Sequence, residues 1–440
     1  MIRLLLVKVF LNNLQGDEIM SKYFFNKDFF LLWLGQSVSR LGDGAGFIAV
    51  MWWVQSESGP LALGMLAMAK GLTATVLSPF AGVLADRLDR KGIIVSADVI
   101  RGVIYCILGF LAFNGSLTLP ILTVLSCLSV ACGQVFFPAV TASIPLLVPN
   151  SGLERANAMS RFSSQLVTVA GYAVGGVLVA LFGVPTLLLA NGISFLCSAV
   201  SEMFIHIPHA GAGRQRLSPA LIVSDIRDGI AYIRDNHVLI RMIGLSMVLN
   251  FFFAPLMVLM PVFVSDHLGA DSAFYGYFLS ALMTGGLLAT IVLSVSRWVQ
   301  NNLWLVKWGI VFQGLLMVLF TILPVNMWSW QIGLLFAFGW VNTIINIYFQ
   351  TIIQRTTRPE YMGKVFSLLE TVSGALTPMA QGLSGAAASV FSLPAIYMVC
   401  SGCLTAAGTT VPFIKGIDHF MAAPGGDDME EEESPVRASN

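Results

Sequence analysis

The apolar residues of this chain fall into blocks of twenty or more, and this arrangement limits its fold more than any other feature. Such a block is long enough to cross a hydrocarbon core of about 30 Å as a helix. Helices are expected there because a bilayer offers no water to satisfy backbone polar groups. Only 11% of the residues are charged, about half the share usual in a soluble domain. The sequence therefore predicts an all-α membrane protein.

Helix-breaking residues and polar loops divide the apolar sequence into about twelve predicted spans. These cover approximately residues 29–54, 60–84, 93–113, 118–147, 157–181, 184–205, 239–265, 272–296, 303–323, 328–354, 363–389 and 393–415. Lys and Arg concentrate in the loops of one side, whereas the loops at 56–60 and 266–271 on the other side contain none. Since basic loops face the cytoplasm, we expect a multi-pass protein of the bacterial inner membrane with both termini cytoplasmic.

The long polar connection after the sixth span predicts a division into two halves. The predicted segments are an N-terminal segment 1–27, a first six-helix bundle 28–208, a linker with an amphipathic helix 209–238, a second bundle 239–415 and an acidic disordered tail 416–440. We also hypothesise that residues 1–19 are a misassigned start, because Met20 follows a stretch whose codons match a ribosome-binding site. N-terminal sequencing that finds Met1 or Ile2 would refute this hypothesis.

The loop between the second and third spans carries an ordered run of small, acidic and basic residues. The run is Gly82-Val83-Leu84-Ala85-Asp86-Arg87-Leu88-Asp89-Arg90-Lys91-Gly92. A glycine allows two helices to approach closely, and an acid at a helix end can face the positive N-terminus of another helix. The run resembles the signature of the major facilitator family, with Asp89 in place of the usual glycine.

Further segments resemble the drug-exporting branch of that family that includes macrolide efflux permeases. They include Gly42-Asp43-Gly44, Ala97-Asp98-Val99-Ile100-Arg101, Phe137-Pro138-Ala139 and Gly363-Lys364-Val365. The resemblance implies two six-helix bundles around a central cavity that opens to either side in turn, working as a monomer. It also implies that Asp86 contacts the start of the eleventh predicted span, near Gly363, and that Asp98 and Arg101 support the loop cluster.

A glycine motif in the fifth span points to close helix packing. Antiporters of the family carry G-P-x-x-G-G there, and this chain has Gly171-Tyr172-Ala173-Val174-Gly175-Gly176, with tyrosine where proline is expected. Two glycines four residues apart still suit close approach of a neighbouring helix.

Four ionisable residues lie at membrane depth: Arg40, Asp43, Lys70 and Glu370. Such residues are expensive in a bilayer and usually mark a pathway or a partner. Because spans 1 and 2 are neighbours, an Asp43–Lys70 or an Asp43–Arg40 pair is feasible. Asp43 is then either a cavity acid whose protonation alternates or a static ion pair that fixes helix packing. Glu370 is a second candidate for proton or substrate binding.

These features predict a proton-coupled antiporter that exports hydrophobic, drug-like or macrolide-like molecules. No nucleotide-binding loop, metal-ligand cluster or cofactor site is visible, and an ion gradient is the remaining common energy source. The equal numbers of basic and acidic residues, 24 each, give no indication of a nucleic-acid partner. Alternatives are an exporter of a siderophore, peptide antibiotic or other self-made metabolite and, from another class, a non-transporting membrane receptor; an enzyme is not expected.

Overall fold

The computed structural model describes residues 25–208, 227–228, 230–296 and 303–413. Within these ranges the side chains at 79, 82–83, 85–87, 303, 306, 359, 363, 367 and 370 lie outside the description. The described residues form helices joined by turns and contain no strand. Eight of these helices are long and apolar enough to cross a bilayer. The predicted all-α membrane architecture is confirmed.

Eleven longer helices, α1 to α11 in chain order, cover most of the described residues. They are α1 Lys27–Arg87, α2 Arg90–Phe113, α3 Leu119–Leu147, α4 Leu153–Met203, α5 His237–Val258, α6 Ser272–Val295, α7 Leu303–Ile322, α8 Trp328–Thr356, α9 Met362–Ala375, α10 Thr377–Ala388 and α11 Leu393–Gly408. Short helical turns, among them Met260–Val262 and Phe263–His267, lie between them. Ten of the predicted spans fall mainly on one of these helices or on part of one, whereas 239–265 covers α5 and the two short turns after it and 363–389 covers α9 and α10.

Two of the helices are hairpins rather than single rods. A straight helix of 61 residues, the length of α1, would extend about 90 Å, or three bilayer cores. Gly59 interrupts α1 with φ 75°, and Gly183 interrupts the 51-residue α4 with φ 77°. This backbone region is open to glycine and strained for other residues. Each hairpin therefore has a first and a second arm, and the two arms match two predicted spans.

The sequence also explains where the other helices begin. The Asn26 side chain accepts a hydrogen bond from the backbone N–H of Phe29 at 2.8 Å and caps α1. Asp89, which replaces the family's glycine, accepts one from Gly92 N–H at 2.9 Å and caps α2. Proline occupies the first turn of α3 and α11, where its missing N–H has no helical partner.

The described chain divides into two compact units. The first contains the described part of Met1–Gln215 together with Val258–Ser280 and Gly382–Ser389. The second contains the described parts of Arg216–Met257, Ala281–Gln381 and Val390–Asn440.

In the first unit, small residues bring α1 and α4 into close contact. Gly44 faces Gly171, and a methyl group placed on Gly175 would lie 2.5 Å from Cα of Ala45. The second arm of α4 also packs on the first arm of α1, where Asn191 lies against Gly46. The predicted glycines of the fifth span thus lie where two helices approach. This packing sets the distance across the cavity described below.

Val258–Ser280 and Gly382–Ser389 are part of the first unit although the predicted bundle boundaries assign them to the second. Gln55 donates hydrogen bonds to Ser265 Oγ and Asp266 Oδ1, both at 3.1 Å. Ser272 Oγ donates to the carbonyl of Gly176, the third glycine of the predicted motif, at 3.1 Å. The compact units group residues that contact one another, whereas the predicted boundaries were placed between membrane spans, so the two divisions differ.

The second unit has a core of aliphatic and aromatic side chains from α5 to α8, which includes Met242, Ile310 and Tyr348. The described end of the linker packs on this unit. Tyr232 stacks on Tyr361 with ring centroids 4.3 Å apart, and Lys364 pairs with Asp228 at 3.2 Å.

The predicted segment boundaries 1–27, 28–208, 209–238, 239–415 and 416–440 stay a prediction. Residues 1–24, most of the linker and everything after 413 lie outside the described residues.

The contact at Gly175 gives a direct test of this packing. Gly175→Ala forces its methyl group into Ala45, so we expect a loss of about 1–3 kcal/mol in the free energy of unfolding. Gly402→Ala is the matched control, because a methyl group at this helical position meets nothing within 4 Å. Thermal unfolding in detergent measures both, and equal melting temperatures for the two variants would contradict the packing.

Candidate functional site

A cavity of about 320 Å³ opens in the first unit among α1, α2, α3 and the first arm of α4. We call it the charged cavity. Its lining residues are Arg40, Asp43, Gly44, Phe47, Val50, Lys70, Arg101, Tyr105, Ser129, Val130, Gly133, Gln134, Phe137, Thr168 and Tyr172. Three of the four residues predicted from membrane depth, Arg40, Asp43 and Lys70, therefore line one cavity.

Asp43 is paired with Arg101 rather than with either predicted neighbour. Arg101 Nη2 lies 3.0 Å from Asp43 Oδ2, and the Asp43 side chain keeps 41% of its surface exposed. Arg101 lies on α2, whereas Asp43 lies on α1. Gly102 allows α2 to approach α4 closely, and the Arg101 guanidinium lies 4.0 Å from the ring centroid of Phe195 on α4. Neither of the two pairs considered feasible for Asp43, with Lys70 or with Arg40, is among the ion pairs of the described residues, where Arg101 occupies the carboxylate instead.

Arg40 and Lys70 are held by neutral groups. The Arg40 guanidinium donates a hydrogen bond to Ser164 Oγ and lies 5.6 Å from the ring centroid of Phe137. Lys70 Nζ lies 5.9 Å from the ring centroid of Phe47, which also places the two arms of α1 side by side. Within the described part of the chain neither cation forms an ion pair. The charged cavity therefore has three cations and one acid, and that acid is already paired.

Behind Arg101 lies a second group of acids, Asp98 and Glu202, of which the sequence analysis singled out only Asp98. Asp98 is fully buried and its Oδ1 is 3.7 Å from Arg101 Nη1. Glu202, at the end of α4, has 1% of its surface exposed and accepts hydrogen bonds from Gln36 Nε2 at 3.0 Å and Ser198 Oγ at 3.4 Å. Glu202 is the lone charged residue in the apolar run 184–205, a signal that could have identified it.

Residues of the loop motif form the end of α1 and the start of α2. Arg90 donates to the carbonyl of Ala142 at 3.0 Å, and Lys91 lies in the first turn of α2. Gly82, Asp86 and Arg87 lie in the last turns of α1, and their side chains are outside the description. Asp98 and Arg101 were expected to support this loop through the family resemblance. Their described ion pairs connect to Asp43 and to each other.

The remaining candidate, Glu370, lies on α9 in the second unit, and its side chain is outside the description. Neighbouring residues Leu369, Ser373 and Gly374 line a separate cavity of about 590 Å³. The polar residues described in its lining are neutral, with amides and hydroxyls from Asn250, Asn346 and Gln350 among others.

Ionisable residues buried among membrane-spanning helices fit the architecture that the loop motif indicates. The profile of the Major Facilitator Superfamily matches residues 32–389 of this chain. The chain belongs to this superfamily. Its members are transporters, and the chain is a multi-pass membrane protein of this class.

Relatives within the Major Facilitator Superfamily include efflux proteins. The chain is 24% identical over 359 residues to Macrolide efflux protein A of Streptococcus pyogenes, covering 81% of this chain and 88% of that one. It is also 24% identical over 388 residues to Multidrug efflux pump Tap of Mycolicibacterium fortuitum, covering 85% and 92%. A mutant form of the nucleoside transporter NupG has the same fold, with a TM-score of 0.71 at 12% identity, covering 89% of this chain and 100% of that one.

Because Arg101 forms ion pairs with two acids, we expect its replacement by a neutral residue to lower the stability of the protein strongly. Arg101→Gln leaves Asp98 buried without its partner, and we expect a loss of about 3–5 kcal/mol in the free energy of unfolding. Combining it with Asp98→Asn removes the orphaned charge and should restore part of that loss.

The matched control is Arg234→Gln, which removes an ion pair whose two side chains are 77% exposed. There we expect a change of less than about 1 kcal/mol. Unfolding in detergent measures all three variants, and similar losses for Arg101→Gln and Arg234→Gln would contradict the buried network.

Proposed function

We propose that this transporter exports small molecules across the bacterial inner membrane by alternating access, driven by proton antiport. The observation that carries the proposal is the Asp43–Arg101 pair, an acid open to a cavity and joined to a buried cation. The similarity to proteins named for macrolide and multidrug efflux supports the direction of transport. The sequence pattern of basic loops supports cytoplasmic termini.

The ion pair offers a way to couple protonation to helix movement. A proton on Asp43 removes its negative charge and weakens its hold on Arg101. Arg101 then has Asp98, already 3.7 Å away on the same helix, as its remaining described partner. Because Asp43 lies on α1 and Asp98 on α2, protonation changes the attraction between two cavity-lining helices. A proton that binds the two conformations unequally shifts the equilibrium between them.

The leading substrate class is hydrophobic and drug-like, in keeping with the predicted export of macrolide-like compounds. Aromatic side chains of Phe47, Phe137 and Tyr172 line the charged cavity beside its polar groups. Such rings provide apolar contact area for molecules of varied shape.

A second candidate is an exporter of anionic metabolites such as a siderophore. The specific observation is the excess of positive charge, since Arg40 and Lys70 face the charged cavity without a carboxylate partner among the described residues. An anionic substrate would be attracted by these two cations, whereas a protonated amine would be repelled.

Transport in everted membrane vesicles tests the proton-coupled mechanism. With a panel of macrolides and dyes, we expect uptake into wild-type vesicles to collapse with an uncoupler and Asp43→Asn to lose at least tenfold in rate. Glu154→Gln, at an exposed position, should keep the wild-type rate. Uncoupler-sensitive transport that is intact in Asp43→Asn would contradict the role of Asp43, and transport insensitive to an uncoupler would contradict proton coupling.

Lys70→Met separates the two substrate classes, because methionine keeps the side-chain length and removes the charge. If the transporter exports anions, we expect Lys70→Met to raise KM for anionic substrates several-fold while neutral macrolides are unaffected. Lys27→Met, an exposed position at the start of α1, is the control. Equal KM values for anionic compounds in wild type and Lys70→Met would rule out the anionic class at this site.

A further inference from the structure

Two carboxyl groups, those of Glu202 and Asp98, are buried behind the charged cavity. Glu202 and Asp98 have 1% and 0% of their surface exposed. Burying an ionised carboxylate is unfavourable unless a cation or several hydrogen-bond donors compensate it. The donors and cations around the pair therefore decide whether both groups can be ionised.

The hydrogen-bond donors are too few for two carboxylates. Gln36 provides one N–H to Glu202 Oε1, and Ser198 has a single hydroxyl proton, which reaches the same oxygen. The Ser198 hydroxyl also faces Asp98, so it can serve one carboxyl group at a time. Glu202 Oε2 is buried with no hydrogen-bond partner among the described residues. A proton on the pair would supply the missing donor.

The cations are also too few. The charged groups that face this pair are Arg101 on α2 and, beyond it, Asp43 on α1. Arg101 lies 3.0 Å from Asp43 and 3.7 Å from Asp98, so one positive charge is shared among three carboxyl groups. Arg40 and Lys70 line the charged cavity together with Asp43, and Arg40 also lines the cavity of Gln36 described below. The helices packed around Glu202 otherwise contribute neutral groups, such as Gln36 and Ser198.

The pair also lies between two cavities of the first unit. Gln36 lines a second cavity of about 170 Å³, at the end of the unit where α1 begins. Its amide separates this cavity from Glu202. On the other side, Asp98 contacts Arg101, which lines the charged cavity. The chain of groups Gln36, Glu202, Ser198, Asp98 and Arg101 therefore connects two cavities of the same unit.

We infer that Glu202 and Asp98 form a proton-binding site that holds one proton between them and is distinct from Asp43. The ligand is a proton, taken up from the cavity that Gln36 lines. A proton on the pair weakens its attraction for Arg101 and strengthens the Arg101–Asp43 contact. A proton on Asp43 has the opposite effect, so the two sites compete for one arginine. The competition between the two sites rests on the proposed proton-coupled transport. The binding of a proton by Glu202 and Asp98 does not depend on that proposal.

Carbodiimide labelling of the full-length protein in liposomes tests the site. Dicyclohexylcarbodiimide is apolar and adds to protonated carboxyl groups, and peptide mass spectrometry locates the product. We expect at most one label per chain on Asp98 or Glu202 at neutral pH, and several-fold less as the pH rises. In Glu202→Gln the remaining Asp98 is ionised beside Arg101, so labelling of Asp98 should fall as well. Glu154→Gln, which changes an exposed acid, should keep the wild-type labelling.

Infrared spectroscopy provides a second measurement that needs no reagent access. We expect a protonated carboxyl C=O band in wild type and Glu154→Gln that disappears in Glu202→Gln. The glutamine can still accept the hydrogen bond from Gln36, and size-exclusion chromatography checks that the variant is folded. The absence of both the label and this band from folded wild type would overturn the inference, as would a band and a labelling pattern that Glu202→Gln leaves unchanged.

The transport assay in everted vesicles separates this inference from the proposed function. If the band is present but transport is insensitive to an uncoupler, the site stands and proton coupling fails. If transport is proton-coupled but the band is absent, proton coupling stands and the site fails.

Discussion

The sharing of Arg101 between two carboxylates is the constraint on which the functional part of this structure depends. Asp43 and Asp98 lie on different helices, and the single guanidinium reaches both, at 3.0 and 3.7 Å. The guanidinium carbon lies 4.0 Å from the ring centroid of Phe195, a cation–π contact that helps to hold the group in place. Since a buried cation is stable only beside its acids, any change in the charge of one acid changes the attraction between the helices that bear them.

Close helix packing makes this sharing possible. Gly102 and Gly192 bring α2 against the second arm of α4, which places Arg101 beside Phe195 and Asp98 beside Ser198. Gly44 and Gly171 do the same for α1 and the first arm of α4 across the charged cavity. In a bilayer, where apolar side chains gain little by leaving lipid for protein, such small-residue contacts are a main source of helix association. The glycines therefore set the distances that the charges need.

The sequence predicts the helices well because their signals are local. The apolar blocks define the spans, and Gly59 followed by Pro60 marks the turn of the first hairpin. Arg40, Asp43 and Lys70, which were selected for their depth in the membrane, line one cavity. The partner of Asp43 could not be predicted, since it depends on how α2 packs against α4. Glu202 was missed because its position near a span end resembles that of an ordinary loop acid, although it is the lone charged residue in the apolar run 184–205.

A structure of the Asp43→Asn variant, determined by electron cryomicroscopy or crystallography, tests the central claim most directly. With the charge of residue 43 removed, as a bound proton would remove it, Arg101 should turn toward Asp98. The account predicts that the Nη1–Oδ1 distance shortens from 3.7 Å to hydrogen-bond length, about 2.8 Å, and that the contact with residue 43 opens. An Arg101 side chain that keeps its present position beside residue 43 would contradict the account.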